Sequence, residues 1–533
     1  MITSVGIKNL RSLKQIKEIK IKPITILVGA NSSGKSTFLR SFPLFTQSIM
    51  KPLRGSVSWF DDALVDFGDY DTAINRYAMK DEHIEFFYHI ENVPYLRWFM
   101  HSFNWRRMQV AGKDNLLDDL EIGISLSDDN KGTYISHILL KIKNFTVSFG
   151  IGSRNDKVAF QVNNDYVGGM GLAVFHYTHK QTMLPSVVMY SSKDEDEDDE
   201  DWYLYNYRND ICRYLLRLNN NRVKNEGRVD FIFGLWEPDK LSFLNRLLKK
   251  TQIPVSLIKL FKTWDSNNAD FVQLYNMLAI YHVLRVYPSI NRELSSFYSQ
   301  CSYIAPARAE ASRYYRTQGL QVDDIDAYGR NLAEFISSLT PTALQSYASY
   351  TEKLLGVKVR RENSPGHQSI VLASDNGKFN ISDVGFGYSQ ILPIVTKLWF
   401  YSYRPSRRFS YPLSLETGRV VLIEQPELHL HPAYQAKLAD AFVEFVNIGK
   451  HLEDINEDYT ERNEPKLIFE THSETIINRI GRRIREGKLK AENVNVVIFD
   501  KKVQEMNTLV RQTSFNDKGQ LIDWPVGFFE PDD

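Results

Sequence analysis

Residues 29–37 read GANSSGKST and directly follow the apolar run ITILV. This stretch matches the phosphate-binding loop pattern Gly-x4-Gly-Lys-Ser, in which the glycines let backbone N–H groups surround the phosphates. Lys35 would place a positive charge near the β and γ phosphates, and Ser36 would ligate magnesium at the start of a helix whose positive end adds to the site. We therefore predict ATP and Mg²⁺ as cofactors, a helix from about residue 36 to residue 50, and the binding residues Gly29, Asn31, Ser32, Gly34, Lys35, Ser36 and Thr37.

A second element should hold the magnesium from a neighbouring buried strand. The stretch RVVLIEQPELHLHP contains an apolar, β-branched run at 420–423 that ends at Glu424. A carboxylate at this position fits the Walker B role of holding the ion, directly or through water. Pro432 is expected to open the next helix, because proline favours the first helical turn.

The stretch KLIFETHSETIINRI contains a third apolar strand, which ends at Glu470 and Thr471. His472 then leads into a helix. A histidine at the carboxyl end of a strand in such a sheet can reach the γ-phosphate and the attacking water. We predict this role for His472.

A fourth element, ISDVGFGYSQILPIV, predicts a second anion site at a helix start. Gly385 and Gly387 allow close approach of the backbone, and Ser389 and Gln390 add polar donors. The site has no lysine of its own and is therefore incomplete. Two incomplete phosphate sites make sense if they lie on different subunits that sandwich one ATP, and two-fold symmetry then creates two such sites. We predict a homodimer or a higher homo-oligomer.

The pattern of elements predicts a nucleotide-binding fold that is split along the chain, which at 533 residues has room for two or three domains. Strand patterns at 84–90, 137–152 and 157–162 alternate with period two and predict an antiparallel meander. Residues 203–299 have helical periodicity, with prolines at 238, 254 and 288 separating the helices. Strand patterns then return at Cys301. We expect an N-terminal part (1–170), an acidic and helical insertion (171–300) and a C-terminal part (301–533).

Charge and cysteine content narrow the class of protein. Lysine plus arginine and aspartate plus glutamate each number 65, so nucleic-acid binding would have to come from local patches. Cys212 and Cys301 lie far apart in sequence and indicate neither a disulfide framework nor a zinc site. The N-terminus lacks the apolar core of a signal peptide, and no apolar stretch is long enough for a membrane helix. We expect a cytoplasmic protein without membrane contact.

Four features are each open to two interpretations. The acidic run at 194–201 is either a disordered solvent loop or a gate over a basic groove or nuclease site. The basic run RRIREGKLK at 482–490 either contacts nucleic acid or is a helix end whose cations suit the dipole. His429 and His431 belong either to a metal cluster or to a turn before the next helix. Arg11 either faces the nucleotide or lies at a surface strand end.

The order of these motifs resembles that of the ABC-type ATPase heads: a Walker A loop, later a glycine-serine-glutamine signature, a Walker B strand and a switch histidine. The fold class that this implies is α/β: an ABC-type P-loop ATPase head, with a mixed sheet flanked by helices and an antiparallel β subdomain, split by a mainly helical insertion. Four segments of the sequence are similar to segments of the stand-alone OLD-like ATPases, in the SMC and OLD branch, of bacterial antiphage defence operons. These segments are IKNLRSLK, EQPELHLHP, ETHSE and DWPVGFFE. Among these, the chain most resembles the PtuA ATPases of Septu-type systems, some of them retron-associated.

The resemblance implies heads that dimerise on ATP and a separate effector nuclease. For PtuA-like ATPases this partner is an HNH nuclease of the PtuB type, and in retron versions a reverse transcriptase and its DNA–RNA product join it. Carried onto this chain, Glu424 is the Walker B acid, His472 is the switch, and Gly387, Ser389 and Gln390 form the signature. About sixty residues follow His472, too few for the nuclease domain of the OLD nucleases, and no HNH signature is seen. We therefore expect no intrinsic nuclease domain.

Two positions depart from the pattern of this family. Gly385 replaces the first serine of the signature, which removes one hydroxyl donor to the opposing γ-phosphate. Gln425 follows Glu424, where a catalytic glutamate is usual, and an amide orients water but cannot take its proton. General-base help is worth about 10² to 10⁴ in rate, so we expect slow hydrolysis and a long-lived ATP-bound dimer unless Glu427 serves as the base. The catalytic candidates are Glu424, Gln425, Glu427 and His472.

The leading interpretation is an ATP-binding sensor and scaffold that controls the nuclease of another protein. The main alternative is an ATP-driven DNA-repair or DNA-organising ATPase of the SMC class. That alternative predicts fast, DNA-stimulated turnover and long arms, and the lack of sustained heptads and the presence of Gln425 argue against it. A transporter motor and an inert protein with a relic loop are further alternatives.

Overall fold

The computed structural model describes residues 1–51, 53, 55–91, 119–129, 132–142, 145–152, 158–167, 172–175, 182–189, 200–220, 222, 229–251, 253–317, 319, 322–403, 419–453, 464–500 and 508–524. Residues 194–199 of the acidic run lie outside these ranges, and Glu200 begins a helix. The two interpretations of that run therefore stay predictions.

The described strands, numbered along the chain, are β1 (Ile2–Leu10), β2 (Leu13–Lys20), β3 (Ile24–Gly29), β4 (Ile84–Glu91), β5 (Asp119–Asp129), β6 (Gly132–Ile142), β7 (Phe145–Gly150), β8 (Ala159–Val162), β9 (Asp165–Val167), β10 (Leu172–Phe175), β11 (Ser186–Met189), β12 (Cys301–Ile304), β13 (Tyr315–Arg316), β14 (Lys358–Ser364), β15 (His367–Ser374), β16 (Gly377–Asn380), β17 (Val420–Glu424), β18 (Lys466–Glu470), β19 (Val494–Asp500) and β20 (Leu509–Thr513). The described helices are α1 (Lys35–Met50), α2 (Tyr70–Ala73), α3 (Glu200–Leu218), α4 (Lys240–Lys249), α5 (Val255–Phe261), α6 (Ala269–Ser299), α7 (Leu332–Ser338), α8 (Pro341–Leu355), α9 (Phe386–Tyr403), α10 (Pro432–Glu453) and α11 (Glu474–Arg485).

Two compact units interleave along the chain. The first comprises Met1–Gly6, Lys51–Val57 and His83–Ser295. The second comprises Ile7–Met50, Ser58–Glu82 and Ser296–Asp533, so its sequence is interrupted by the first. The boundaries at residues 170 and 300 stay predictions.

The first unit is built around an antiparallel sheet in the order β1-β4-β5-β6-β7-β8-β9. Burial alternates along β4, as expected for a strand with one face on the core. The segment 137–152, read as one strand, is two: β6 and β7 pair as a hairpin in which Ile142 faces Phe145. The buried positions change from Ile138 and Leu140 in β6 to Phe145 and Val147 in β7, so a change of phase in the period-two pattern separates the two strands.

The helices of the insertion pack on this sheet. Phe149 of β7 lies 5.6 Å from Tyr287 of α6, ring centroid to ring centroid, and Phe145 lies 5.3 Å from Trp236. The expectation that Pro288 separates two helices is wrong, because Pro288 lies inside α6. Proline in a helix interior costs about 3 kcal/mol, and the apolar burial along this 31-residue helix outweighs that cost.

The second unit contains a sheet in the order β12-β17-β18-β3-β19-β20. All neighbouring pairs are parallel except β19 with β20. The sequence of β3, ITILVG, is buried at every position, which is typical of a central strand with both faces covered. β3 lies between β18 and β19, so that Ile26 is paired with Phe469 on one side and Val496 on the other.

Helices cover the parallel sheet. Ile24, Ile26 and Val28 of β3 belong to an apolar cluster that includes side chains of α9, α10 and α11. α1 packs against β3, β12, β17 and β18. A smaller antiparallel sheet of β13, β15, β14 and β16 completes the unit. The expected fold class, a P-loop ATPase head of α/β type with an antiparallel subdomain and a mainly helical insertion, is confirmed.

Candidate nucleotide-binding site

The phosphate-binding loop lies between β3 and α1, at the carboxyl ends of the parallel strands, where α/β sheets bind ligands. Gly29 (φ +149°), Ser32 (φ +60°) and Gly34 (φ +101°) have positive φ, so the loop needs residues that tolerate it. A Cβ on Gly34 would lie 2.3 Å from Cδ2 of Leu13. Asn31 and Ser32 form the exposed tip of the loop.

Lys35, the first residue of α1, is turned back onto its own loop. Its Nζ donates to the carbonyl oxygens of Gly29 at 2.9 Å and Ala30 at 2.7 Å, and lies 3.6 Å from Oε1 of Glu470. Burial lowers the pKa of Lys35, and the neighbouring Glu470 carboxylate opposes this effect. The lysine is therefore a poorly solvated cation beside the loop, suited to an anion.

Ser36 contacts the end of the adjacent strand. Its Oγ donates to Oε2 of Glu470 at 2.6 Å, and Glu470, at the end of β18, is only 3% exposed. Burial raises the pKa of Glu470, whereas the hydrogen bond from Ser36 and the charge of Lys35 lower it. Glu470 carries the same sequence signal as Glu424, an acid after an apolar strand, but no role was predicted for it.

Glu424 ends β17, one strand further from the loop. Arg40 of α1 donates from Nε and Nη2 to its two carboxylate oxygens at 2.7 and 2.8 Å. The hydroxyl of Tyr303 donates to the same carboxylate at 2.7 Å. The hydrogen bond to Glu424 raises the pKa of Arg40. The metal role predicted for Glu424 stays a prediction, and in this structure its carboxylate binds these two side chains.

Glu427 joins the turn after β17 to the segment that carries His472. Its carboxylate accepts the backbone N–H of His472 at 2.7 Å and the hydroxyl of Thr471 at 2.8 Å. Burial raises the pKa of Glu427. His472 itself is exposed, and burial of part of its ring and the charge of Lys35 lower its pKa. The predicted switch histidine therefore lies within electrostatic range of the loop lysine.

Gln425 begins a tight turn with φ +41°. Its backbone N–H donates to the carbonyl oxygen of Glu470 at 3.0 Å, so the turn after β17 is tied to β18. His429, further along the turn, has φ +60° and lies 5.0 Å from Phe386, ring centroid to ring centroid. The turn thus contacts the start of α9.

The glycine signature forms the first turn of α9. Gly385 has φ +87° and Gly387 lies close to the backbone of His429. Ser389 and Gln390 are buried: Ser389 donates to the carbonyl oxygen of Phe386 at 2.7 Å, and Gln390 donates to that of Arg308 at 3.2 Å. Their predicted role as donors to a phosphate of a second subunit stays a prediction.

Arg308 is a site residue that sequence reasoning missed. It follows β12, is 4% exposed, and donates from Nη2 to the carbonyl oxygens of Glu424 at 2.9 Å and Gln425 at 3.2 Å. Burial lowers the pKa of Arg308 to about 10. Within the described part of the chain, its Nε and Nη1 have no hydrogen-bond partner. The fragment APAR carries no motif that would have marked it.

A family model of AAA ATPase domains (AAA_15) matches residues 1–477. The chain belongs to this family. No curated protein matches this AAA ATPase significantly. Solved structures with a similar fold include an SMC head bound to the C-winged helix domain of ScpA, at 11% identity over 96% of this chain and 97% of that one, with a TM-score of 0.36. Another is the SMC head domain from Thermotoga maritima, at 9% identity over 96% and 98%, with a TM-score of 0.31.

The residues of this AAA ATPase fit ATP with magnesium. The loop glycines adopt the positive φ that the loop needs, Lys35 is a buried cation at the loop, and Oγ of Ser36 lies 2.6 Å from Oε2 of Glu470. Lys35 would hold the phosphates, and the metal would neutralise charge on the β and γ oxygens next to Ser36.

His431 and Arg11, each open to two interpretations from the sequence, have defined contacts in this AAA ATPase. Nδ1 of His431 accepts the N–H of Ala433 at the start of α10, which begins at Pro432 as predicted. No group of three or more potential metal ligands occurs in the described ranges. Arg11 (φ +47°) lies over the Phe67 ring at 4.4 Å and donates to the carbonyl oxygen of Asp66. The choice between a turn and a metal cluster for His429 and His431 stays a prediction.

Two arginines of the basic run have carboxylate partners. Arg483 donates to Asp440 at 2.6 Å and Arg482 to Glu486 at 2.8 Å. Nucleic-acid contact by this run stays a prediction. Cys212 and Cys301 are buried thiols, and neither is in a disulfide within the described ranges. Among the described helices, none is long and apolar enough to cross a membrane.

Proposed function

We propose that this AAA ATPase binds Mg²⁺-ATP, hydrolyses it slowly, and dimerises around it as a sensor and scaffold for a separate effector nuclease in antiphage defence. The proposed partner is an HNH nuclease of the PtuB type, as the resemblance to the PtuA ATPases implies. A reverse transcriptase with its DNA–RNA product would join it in a retron-associated system.

Slow hydrolysis is supported by how the nearby carboxylates are used. Gln425 occupies the position after the Walker B acid, and the three glutamates around it each accept hydrogen bonds from the chain: Glu424 from Arg40, Glu427 from Thr471 and His472, and Glu470 from Ser36. A general base must be within reach of the water whose proton it takes. A carboxylate whose oxygens already bind donors of the fold is poorly placed for this role.

The first test compares ATP turnover of the wild type with Gln425→Glu, while the mass of the assembly is followed in parallel. We expect a slow wild type, an ATP-dependent dimer, and faster turnover with earlier dissociation in Gln425→Glu, by about 10² if base catalysis is restored. Gln345→Glu, on an exposed face of α8, is the matched control and should leave turnover unchanged.

Fast ATP turnover by the wild type, abolished by Glu427→Gln, would contradict slow hydrolysis and a long-lived ATP-bound dimer. If DNA also stimulated that turnover, the DNA-organising ATPase would become the better account. Lys35→Ala should abolish binding of ATP analogues whether the wild type hydrolyses ATP slowly or quickly. If the loop is a relic, the wild type binds no analogue and the substitution changes nothing. A nuclease that co-purifies with the wild type but not with the Lys35→Ala variant would support the scaffold role.

A further inference from the structure

We propose that this AAA ATPase binds a second copy of itself through two oppositely charged surfaces, and that this contact does not require nucleotide. One surface, the lysine face, comprises residues 240–262 of the helical insertion. The other, the aspartate hairpin, comprises residues 60–71. The inference goes beyond the proposed ATP-dependent dimer, because neither surface includes a residue of the nucleotide-binding site.

The lysine face carries an unbalanced positive charge. Residues 240–262 contain six cations and no aspartate or glutamate, although the numbers of positive and negative residues in the whole chain are equal. Lys240 pairs with Asp165, and Arg246 pairs with Glu237. Among the residues that the structure describes, the other four cations of the face have no ion-pair partner: Lys249, Lys250, Lys259 and Lys262. An acidic partner would therefore relieve the repulsion between these like charges.

Apolar side chains are exposed on the same surface. Leu241 and Leu248 are separated by about two turns of α4, so they lie on one side of that helix. Leu241 is 58% exposed, and Val255, which begins α5 beside α4, is 67% exposed. Apolar side chains that are exposed together among polar residues are typical of a protein interface. A nucleic-acid partner would make little use of these aliphatic groups, so a protein partner is favoured.

The aspartate hairpin has the complementary composition. Residues 60–71 contain five aspartates and no lysine or arginine. A β-bridge between Phe60 and Asp66 closes the turn, and the Phe60 side chain is 52% exposed. Asp62 and Asp71 are exposed and form no ion pair with any described residue. The hairpin thus presents a phenyl ring and unpaired carboxylates, which match the exposed leucines and unpaired lysines of the lysine face.

A second copy of this chain supplies both halves of the match. Each copy carries the two surfaces, and their apolar side chains are exposed in the single chain. Two lysine faces would repel each other, and so would two aspartate hairpins, so each contact joins the lysine face of one copy to the aspartate hairpin of another. Such a contact is made twice in a two-fold dimer or repeated around a ring.

The test reverses the charge of each surface. The mass of the full-length protein is followed by light scattering over a range of concentrations, with EDTA and without nucleotide. We expect the wild type to self-associate under these conditions. The lysine-face variant, Lys259→Glu with Lys262→Glu, should raise the dissociation constant about tenfold or more, because it places like charges in the contact. The hairpin variant, Asp62→Lys with Asp71→Lys, should have the same effect.

An equimolar mixture of the two variants is the deciding measurement. Every contact between a lysine-face variant and a hairpin variant again joins opposite charges, so the mixture should assemble although neither variant does so alone. Misfolded variants would not regain this contact on mixing. The control, Lys17→Glu with Lys20→Glu on exposed positions of β2, changes the net charge as much as the lysine-face variant does and should assemble like the wild type.

Three results would each overturn the inference: a wild type that stays monomeric without nucleotide, charge-reversed variants that assemble like the wild type, and a mixture that does not reassemble. If the wild type is monomeric and a DNA duplex binds it but not the lysine-face variant, the face is a nucleic-acid site instead. The proposed function is tested separately, by dimerisation with Mg²⁺ and an ATP analogue. Absence of that nucleotide-dependent step, with the contact in EDTA intact, would overturn the proposed function alone.

Discussion

Arg40 and Glu424 form a bidentate pair in which Nε and Nη2 donate to the two carboxylate oxygens at 2.7 and 2.8 Å. The carboxylate is buried at 3% side-chain exposure, whereas the arginine is 33% exposed. Removing one partner of such a pair leaves an unpaired buried charge. Because the carboxylate is more buried than the arginine, removal of Arg40 should destabilise the protein.

Arg40→Met should lower the free energy of unfolding by about 3 kcal/mol, the lower end for a broken buried pair because Arg40 is partly solvated. Denaturant midpoints of the purified protein measure this. Arg360→Met on the exposed side of β14 is the control and should change stability little. Equal midpoints for the two variants would show that the pair contributes nothing.

Gly29→Ala should destabilise the second unit and abolish binding of ATP analogues. A Cβ there would lie 2.2 Å from the carbonyl oxygen of Phe499 in β19, and backbone cannot move aside as a side chain can. We expect a loss of more than about 3 kcal/mol, since backbone strain alone costs about 1–3. Gly366→Ala, with φ +74° and nothing within 4 Å of its Cβ, should cost only about 1–2 kcal/mol.

Arg308 connects β12, the turn after β17 and α9. Arg308→Lys keeps a charge but not the planar guanidinium, whose Nη2 donates to both carbonyl oxygens, so it should lose most of what Arg308→Ala loses. Hydrogen bonds from charged donors are worth about 1.5–3 kcal/mol each. Thermal unfolding should show both variants lowered by several degrees, and Gln390→Ala, which breaks one neutral bond, by less. Full stability of the lysine variant would contradict this account.

His282 should make the first unit sensitive to acid. It stacks on Trp236 at 4.8 Å, and burial lowers its pKa from the ordinary 6.5 to about 3. Below pH 6.5 the unfolded chain binds a proton that the folded chain refuses, so stability falls as the pH drops towards 3. The slope is about 1.4 kcal/mol per pH unit.

His282→Phe should remove that slope, because the carboxyl groups titrate alike in both proteins and cancel in the difference. Urea midpoints of the two proteins at pH 7.5, 6.0 and 5.0 provide the comparison. Parallel curves for wild type and variant would mean that His282 accepts its proton in the folded state.

Local patterns predicted much of the fold. The loop, α1, α10 from Pro432, and the buried strands β3, β17 and β18 each occupy a continuous stretch whose spacing and turn residues determine its structure. The continuation of α6 through Pro288 was not predicted, because tertiary burial outweighs the helix penalty of one proline. The hairpin between β6 and β7 was not predicted, although the apolar alternation changes phase between Leu140 and Phe145.

The site was predictable in its motifs but not in its contacts. Glu424 and Glu470 carry the same signal, an acid after an apolar strand, so spacing alone cannot rank them. Only the sheet order, with β18 between β17 and β3, brings Glu470 to Ser36, 434 positions earlier in sequence. Arg40 and Arg308 lie in segments whose local pattern is that of an ordinary helix and an ordinary loop. Their carboxylate and carbonyl partners come from distant parts of the chain.

The position of β3 between β18 and β19 also dictates when the site can form during synthesis. β3 is synthesised long before both of its neighbours, which begin only at Lys466 and Val494. At about 5–20 residues per second, the loop strand waits tens of seconds for a partner. A copy that ends before Lys466 therefore lacks both strand neighbours of β3, and the loop strand has no parallel sheet to join.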